Sequence, residues 1–388
     1  MNLGESLRPG PGAGRAKEVS SASVKAWLDS HADGLALAVV ALGLAARLSN
    51  VRGAYLMPDE LSHLNIASAR DLAGVYRASL ASAHPPLFML LLHFWKEVAR
   101  SEWSLRLLPA AFGAASVWEG YRWAGALFGK AAALATAALL ALLPSLVIAS
   151  AELRAYGLLL FLITAALSAL EHALETRQPR GIVLFAALGS LALLTHYWAI
   201  LFLISALVYA AVRVLTDRYP APFVRAWITT QGAVAALFLF LYASHISRLR
   251  GGESEVQAQT DWLRSSYFLA GQESPLRFCL RQTAALFQYL FSSRAAGMVG
   301  LGLLLVGAGG LVLRRRASAL LLVLPVLASA AAGLLRLYPY GGTRHSIGLA
   351  PFVAAAVGVA GARLAGDRLW VAALLAAALA PAAFAAAG

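Results

Sequence analysis

Long apolar segments recur along almost the whole chain, and they constrain its fold more than any other feature. Of the 388 residues, 60% are hydrophobic and only 13% are charged, which differs strongly from the composition of soluble domains. The segments are too long and too many for buried core helices, since about 20 apolar residues suffice to cross a bilayer as a helix. The sequence therefore predicts an all-α integral membrane protein.

The apolar segments divide residues 34–388 into eleven predicted spans, and no strand-like alternation or tandem repeat interrupts them. Two long loops, 51–104 and 245–296, separate some of the spans. The first loop is expected to contain interfacial helices near 58–76 and 85–99. Residues 1–33 are polar and glycine-rich, which predicts a disordered tail. The predicted spans are 34–50, 105–127, 131–150, 156–173, 181–195, 197–213, 226–244, 297–313, 318–335, 346–362 and 369–386.

Basic residues are distributed unevenly between the two sets of short loops. The poorer set holds only Arg154, Arg336 and Arg344, and an excess of Lys and Arg marks the cytoplasmic side. The sequence therefore predicts a cytoplasmic N-terminus. The basic residues of these loops also account for the net charge of +13, so the charge does not indicate a nucleic-acid partner. The single Cys279 excludes an intramolecular disulfide and a cysteine-based metal site. The richer set comprises Lys130, Arg177, Arg180, Arg213, Arg218, Arg225, Arg314, Arg315, Arg316, Arg363 and Arg368.

Two adjacent acidic residues, Asp59 and Glu60, follow Pro58 shortly after the first predicted span. Only 19 of the 388 residues are acidic, so such a pair at a membrane face indicates a structural or a chemical requirement. Proline and carboxylates are both favourable at the start of a helix, where the carboxylates interact with the helix dipole. The pair also shares a helix face with His63, an arrangement that suits a base or half of a metal site.

Further polar groups at the predicted outer face each have a structural and a functional interpretation. His84 precedes two prolines at a helix start, where it either caps the helix or belongs to a site. Glu152 and Arg154, followed by Tyr156, form either a local ion pair at the membrane boundary or a group that positions a sugar hydroxyl and binds an anion. His196 is either an interfacial polar residue or a neighbour of the site.

Arginines at the outer ends of two spans are candidates for binding an anion. Arg106 lies where the chain enters the second span, and Arg344 and His345 lie where the tenth begins. Each arginine either extends to the membrane interface or binds a phosphate, since a guanidinium donates two parallel hydrogen bonds to phosphate oxygens. Tyr340 lies in the glycine-containing loop before Arg344, and its ring suits contact with a sugar, although tyrosine is common at any membrane interface.

Taken together, four of these motifs resemble one known family. Their order and shared sidedness are similar to those of bacterial GT-C glycosyltransferases of the protein-mannosyltransferase and aminoarabinose-transferase superfamily. The resemblance is densest over residues 34–200 and returns faintly at residues 343–346. The motifs are Pro58-Asp59-Glu60, His84-Pro85-Pro86-Leu87-Phe88, Ser104-Leu105-Arg106-Leu107-Leu108-Pro109 and Glu152-x-Arg154-x-Tyr156.

The resemblance implies an inverting transferase that moves a monosaccharide from a polyprenyl-phosphate donor to a lipid, glycan or protein acceptor. It implies a site on the outer side of a bacterial inner membrane, with Asp59 as the catalytic base. Glu60 and Glu152 are implied to support the site, and Arg106 or Arg344 to bind the donor phosphate. No cofactor is required by this chemistry, and a divalent metal near Asp59 is left open. Some relatives carry a large soluble C-terminal domain, which we expect this chain to lack.

Two other functions are compatible with a polar cluster at one membrane face. The first is a lipid-linked-sugar flippase or another non-enzymatic transporter, and the second is an acyl- or phosphate-transferring membrane enzyme. Transporters tend to place ionisable groups near the bilayer midplane and often contain inverted repeats. The sequence has neither pattern, so an enzyme is the favoured interpretation.

Overall fold

The computed structural model describes residues 11–51, 55–249, 257, 260–314 and 316–365, and these residues form helices and loops without a strand. The predicted all-α class is therefore confirmed for this part of the chain. A π-helical turn, Tyr242–Ile246, and a helical turn, Ser247–Leu249, extend α11. The helices are α1 (Pro11–Val51), α2 (Pro58–Ala67), α3 (Leu72–Ser79), α4 (Leu87–Trp95), α5 (Glu102–Phe128), α6 (Lys130–Leu142), α7 (Pro144–Ala151), α8 (Tyr156–Thr176), α9 (Pro179–Leu193), α10 (Ala199–Asp217), α11 (Ala221–Leu241), α12 (Pro275–Phe291), α13 (Arg294–Leu313), α14 (Ser318–Leu334) and α15 (Ala350–Ala365).

Fewer of the described helices are long and apolar enough to span a membrane than the sequence predicts. Six of the described helical stretches are long and apolar enough to cross a membrane, or seven if α6 and α7, bent by 53°, form one span. α9 and α14 are apolar but contain only 15 and 17 residues. α5 is long enough but carries Arg106, Glu119 and Arg122. The predicted span 369–386 lies outside the described residues, and the count of eleven is not confirmed.

The N-terminal part of the chain differs in detail from its predicted arrangement. α1 begins at Pro11, so part of the segment expected to be disordered is helical in the structure. The predicted helix 58–76 is divided into α2 and α3 because the Asp71 side chain accepts a hydrogen bond from the Gly74 amide at 2.7 Å and starts a new helix. α4 occupies the place of the predicted helix 85–99.

The bend between α6 and α7 is stabilised by a buried arginine from α1. Pro144 has no amide hydrogen to donate to the Leu140 carbonyl, so the regular helical bonding stops there. Arg47, which is 0% exposed, donates to the carbonyl oxygens of Leu140 and Ala141, each at 3.0 Å. The guanidinium thus donates hydrogen bonds to carbonyl groups that the bend leaves without a helical partner. α7 ends at Ala151, directly before Glu152, at the end of the bundle that carries Asp59, which we call the site end.

α5 and α8 approach each other closely through a glycine. A Cβ atom added to Gly157 would lie 2.2 Å from the carbonyl oxygen of Pro109. Only glycine permits this separation, because a methyl group would overlap the neighbouring backbone. The close contact matters for the site because α5 carries Arg106 and α8 begins at Tyr156.

We expect Gly157→Ala to destabilise the protein by about 1–3 kcal/mol or more, since overpacking against a rigid backbone has that typical cost. Gly309→Ala on α13 is the matched control, because its added Cβ meets no atom within 4 Å and alanine is the better helix former. Thermal unfolding of the purified proteins in detergent measures both changes. Equal melting temperatures for the two variants would contradict the proposed close packing of α5 against α8.

Candidate functional site

The two adjacent carboxylates at the start of α2 face different surroundings. Pro58 occupies the first turn, and Glu60 Oε2 accepts a hydrogen bond from the Met57 amide at 2.9 Å. The helix-start interpretation therefore applies to Glu60, which is 1% exposed. Asp59 turns the other way, with a side chain that is 50% exposed.

Glu60 joins the first loop to two other parts of the bundle. Its carboxylate accepts two hydrogen bonds from Arg106, at 2.8 and 2.7 Å, and one from the Leu153 amide at 2.6 Å. Arg106, 4% exposed, also donates to the Tyr55 carbonyl at 3.0 Å. Burial acts to raise the pKa of Glu60, but the hydrogen bonds from Arg106, Leu153 and Met57 outweigh it and lower that pKa.

Asp59 lies between two arginines that the sequence predicts as anion-binding residues. Its Oδ2 accepts hydrogen bonds from Arg154 at 2.7 Å and from Arg344 at 2.6 Å. Burial acts to raise the pKa of Asp59, but the charges of Arg154 and Arg344 and their hydrogen bonds prevail and lower it. Arg344 is 36% exposed and Arg154 only 5%, so the site has one accessible and one buried cation.

Glu152 is the third carboxylate of the site, and its burial is the least compensated by hydrogen bonds and nearby positive charge. Its side chain is half-buried and accepts no hydrogen bond from the residues that the structure describes. Burial raises its pKa, and repulsion from Glu60 and Asp59 adds to this, while Arg154 and Arg344 only partly oppose it. Asp59 and Glu152 therefore have pKa values displaced in opposite directions within one site.

Five imidazole and phenol rings form a row next to the charged groups. In order, the ring centroids of His63 and His84 are 5.1 Å apart, those of His84 and His196 5.7 Å, those of His196 and Tyr338 6.3 Å, and those of Tyr338 and His345 6.4 Å. The Tyr156 ring is 5.6 Å from that of His196 and also lies under the guanidinium of Arg154, at 5.1 Å. His63 Nδ1 lies 2.7 Å from the Asp59 carbonyl oxygen, which joins the row to the carboxylate pair.

The row is uncharged at neutral pH. Burial lowers the pKa of His196 to about 3, and burial together with the nearby His63, His196 and Arg154 lowers the pKa of His84 well below its usual value. Burial is also the main cause of the lowered pKa of His63, although the Asp59 carbonyl opposes it. The row therefore presents polar but neutral rings beside the cations of the site.

The structure brings together most of the predicted site residues, but not Tyr340. Tyr340 is 0% exposed, and its hydroxyl lies 2.7 Å from the Thr283 hydroxyl on α12, away from the charged cluster. Tyr338, two residues earlier, contacts the histidines instead. Sequence reasoning also missed Trp262, which packs on His345 at a centroid distance of 5.6 Å. No local motif marks Trp262, since it lies within a long loop.

The metal considered near Asp59, Glu60 and His63 is not favoured by the donor groups in the structure. Both oxygens of Glu60 are engaged by Arg106 and by backbone amides. Within the described ranges, no group of three or more His, Cys, Asp or Glu side chains is placed to hold a metal ion. Glu60 is therefore an unfavourable metal ligand in this arrangement.

We expect Glu152→Gln to raise the melting temperature at about pH 7 and to leave it nearly unchanged at about pH 4. A folded-state pKa raised above the usual value of 4.5 carries no penalty below pH 4.5, where the carboxyl is largely protonated in both states. The penalty grows as the pH rises through the raised pKa, and glutamine removes it. Thermal unfolding across this pH range measures the effect, and a uniform loss of stability would refute the assigned environment of Glu152.

Part of this chain matches the profile of a known protein family. The sequence profile of the family described as dolichyl-phosphate-mannose-protein mannosyltransferase matches residues 83–245. No curated protein sequence matches the chain significantly. The profile covers the histidine-proline motif, Arg106 and the Glu152–Tyr156 motif, but it begins after the Asp59–Glu60 pair.

Several solved membrane-enzyme structures are similar to the whole bundle. ArnT from Cupriavidus metallidurans, bound to undecaprenyl phosphate, has a TM-score of 0.56 and 18% identity over 85% of this chain and 60% of its own. The Archaeoglobus fulgidus oligosaccharyltransferase with zinc and sulfate has a TM-score of 0.56 and 16% identity over 91% of this chain and 52% of its own.

The oligosaccharyltransferase AglB from Archaeoglobus fulgidus, in complex with an inhibitory peptide and a dolichol-phosphate, has a TM-score of 0.55 and 14% identity over 91% of this chain and 55% of its own. The chain thus spans between about half and three fifths of the length of these proteins. At such identities the similarity concerns the fold. The chain has the fold of ArnT and AglB, and the resemblance to GT-C glycosyltransferases is confirmed.

Proposed function

We propose that this protein is a membrane glycosyltransferase that uses a polyprenyl-phosphate-linked monosaccharide as its donor. One observation carries the proposal: Asp59, half-exposed, lies between Arg154 and Arg344 at one end of a GT-C-type bundle. A carboxylate next to two cations offers both groups that glycosyl transfer from a phosphate needs. These are a base for the acceptor and positive charge for the leaving group.

The donor phosphate binds at Arg344 and Arg154 in this proposal. ArnT is bound to undecaprenyl phosphate and AglB to a dolichol-phosphate in structures of the same fold, which supports a lipid phosphate as ligand. Arg344 is the accessible cation, and its contact with Asp59 can be shared with a phosphate oxygen because a guanidinium has five N–H donors. Arg106 is less suited, since its Nε and Nη2 groups already donate to both oxygens of Glu60 and to the Tyr55 carbonyl.

Asp59 acts as the base in an inverting displacement. The acceptor oxygen attacks the anomeric carbon and passes its proton to Asp59, while the bond between that carbon and the phosphate oxygen breaks. Polyprenyl phosphate leaves with the bonding electron pair, and the arginines stabilise its charge. The lowered pKa of Asp59 keeps its carboxylate ionised at neutral pH, which is the form that accepts a proton, while the same two arginines reduce its basicity.

The remaining groups of the site position the sugar and exclude water. Glu152 accepts hydrogen bonds from sugar hydroxyls, which suits a half-buried carboxylate without a donor of its own. The uncharged rings of His84, His196 and Tyr156 line the inner side. We further propose that the site end faces the extracytoplasmic side of a bacterial inner membrane, because the short loops at that end contain few basic residues.

Replacement of Asp59 by Asn is expected to lower transfer by about 100- to 10,000-fold, the usual effect of removing a general base. The assay uses the purified protein in nanodiscs with a panel of radiolabelled undecaprenyl-phosphate monosaccharides and an envelope extract as acceptor. The matched control is Asp71→Asn in the same loop, because asparagine caps α3 as well as aspartate does. Turnover close to wild type by a folded Asp59→Asn protein would refute the assignment.

Arg344→Ala is expected to raise the KM for the donor by about tenfold or more, since a charge-assisted hydrogen bond to an anion contributes roughly 1.5–3 kcal/mol. Arg344→Lys keeps the charge but not the planar fork, so it should give an intermediate KM. Initial rates at varied donor concentration separate the effects on KM and kcat. An unchanged donor KM in both variants would show that Arg344 does not bind the phosphate. Movement of the donor lipid across the bilayer without formation of a glycosylated product would support the transporter alternative.

A further inference from the structure

The exposed ring of Trp262 lies beside the candidate site and takes no part in the reaction described above. Its side chain is 59% exposed, and its ring is inclined by 39° to that of His345. His345 directly follows Arg344, which contacts Asp59 at 2.6 Å. The indole therefore adjoins the part of the site where the cation and the carboxylate are themselves exposed.

The segment that carries Trp262 is held by hydrogen bonds to its surroundings. The Ser265 carbonyl accepts from the side chain of Gln282 on α12. The Ser266 carbonyl accepts from the Tyr340 amide at 3.0 Å, and the Phe268 amide donates to the Gly333 carbonyl at 3.2 Å. The backbone that follows Trp262 is thus anchored, which lowers the entropy lost when a ligand binds next to this segment.

A tryptophan at a membrane boundary often has no role beyond the aromatic belt. A belt residue faces the lipid around the bundle. Trp103, which is 43% exposed in the first turn of α5, is another exposed tryptophan among the described residues. Trp262 differs because its ring packs on His345, which belongs to the row of rings that leads to His196 and to His63 next to Asp59. Its position therefore indicates a ligand of the site rather than the lipid phase.

We propose that Trp262 and His345 form a subsite that stacks against a pyranose ring of a carbohydrate acceptor. The inference deepens the proposed function and rests on it. One face of a pyranose consists of C–H groups and packs on an aromatic ring, while its hydroxyl groups extend sideways to polar partners. A ring stacked on Trp262 places such hydroxyl groups on the side of Arg344 and Asp59.

The acceptor rather than the donor occupies this subsite. The donor is held through its phosphate by Arg344 and by Arg154, which is only 5% exposed, and its polyprenyl chain requires the apolar phase. Trp262 is itself 59% exposed, so a water-soluble glycan can reach its ring. A carbohydrate acceptor agrees with this geometry better than a polypeptide, because a single fixed ring next to a charged pair suits one sugar unit.

Binding of fluorescently tagged oligosaccharides to the purified protein in nanodiscs tests the subsite without any turnover. Trp262→Ala is expected to weaken binding by about tenfold, which corresponds to about 1.4 kcal/mol, while Trp262→Phe retains most of the affinity. Trp103→Ala is the matched control, since it removes another exposed tryptophan, and it should leave the affinity unchanged. Failure of every oligosaccharide to bind the wild type would overturn the proposal, as would an equal loss in both alanine variants.

Kinetics with the undecaprenyl-phosphate monosaccharide that supports turnover separate this proposal from the proposed function. Trp262→Ala should raise the KM for the oligosaccharide acceptor and leave the donor KM and the slow hydrolysis of the donor by water unchanged. A change in the donor KM alone would assign Trp262 to the donor. Transfer to serine- and threonine-containing peptides that does not respond to Trp262→Ala, with no transfer to oligosaccharides, would indicate a protein acceptor and refute the carbohydrate subsite.

Discussion

The buried carboxylate of Glu60 is the interaction on which the rest of the site depends. It accepts hydrogen bonds from Arg106 on α5 and from the Leu153 amide between α7 and α8. A buried ion pair that loses one partner typically costs about 3–5 kcal/mol, because the other charge is left without compensation. The contact therefore fixes the start of α2 against α5 and against the junction of α7 and α8, and the orientation of Asp59 follows from it.

Adjacent residues with the same charge thus have separate physical tasks. Glu60 uses all its accepting capacity inside the protein, whereas Asp59 leaves part of its carboxylate exposed between two arginines. Glu152 differs from both, since burial without a hydrogen-bond donor raises its pKa. The three carboxylates at the site end therefore differ in accessibility and in the direction of their pKa shifts, as is typical of sites that transfer protons.

The helices position these groups through features far from the charges. Arg47 stabilises the bend that directs α7 toward the site end, and Gly157 allows α8 to approach α5. Glycosyl transfer depends on the alignment of base, phosphate and acceptor, so small errors in the helix arrangement reduce the rate strongly. In the proposed reaction, the close contacts of Arg47 and Gly157 therefore help to position the reacting groups.

The sequence by itself determined the helical membrane class, the order of the motifs and the concentration of polar residues at one end of the bundle. These features depend on local hydrophobicity and on the alternation of loops, which a single chain displays directly. It also identified Asp59, Arg154 and Arg344 as candidates, because charges at a membrane boundary are costly unless they have partners.

Only the tertiary structure decided how those candidates are paired. Arg106 turned out to be a partner of Glu60, Tyr338 rather than Tyr340 joined the row of rings, and Trp262 came to lie on His345. The physical reason is sequence distance: Asp59 and Arg344 are 285 residues apart, and Glu60 and Leu153 are 93 apart. No periodic pattern encodes such contacts, because they arise from the packing of whole helices against one another.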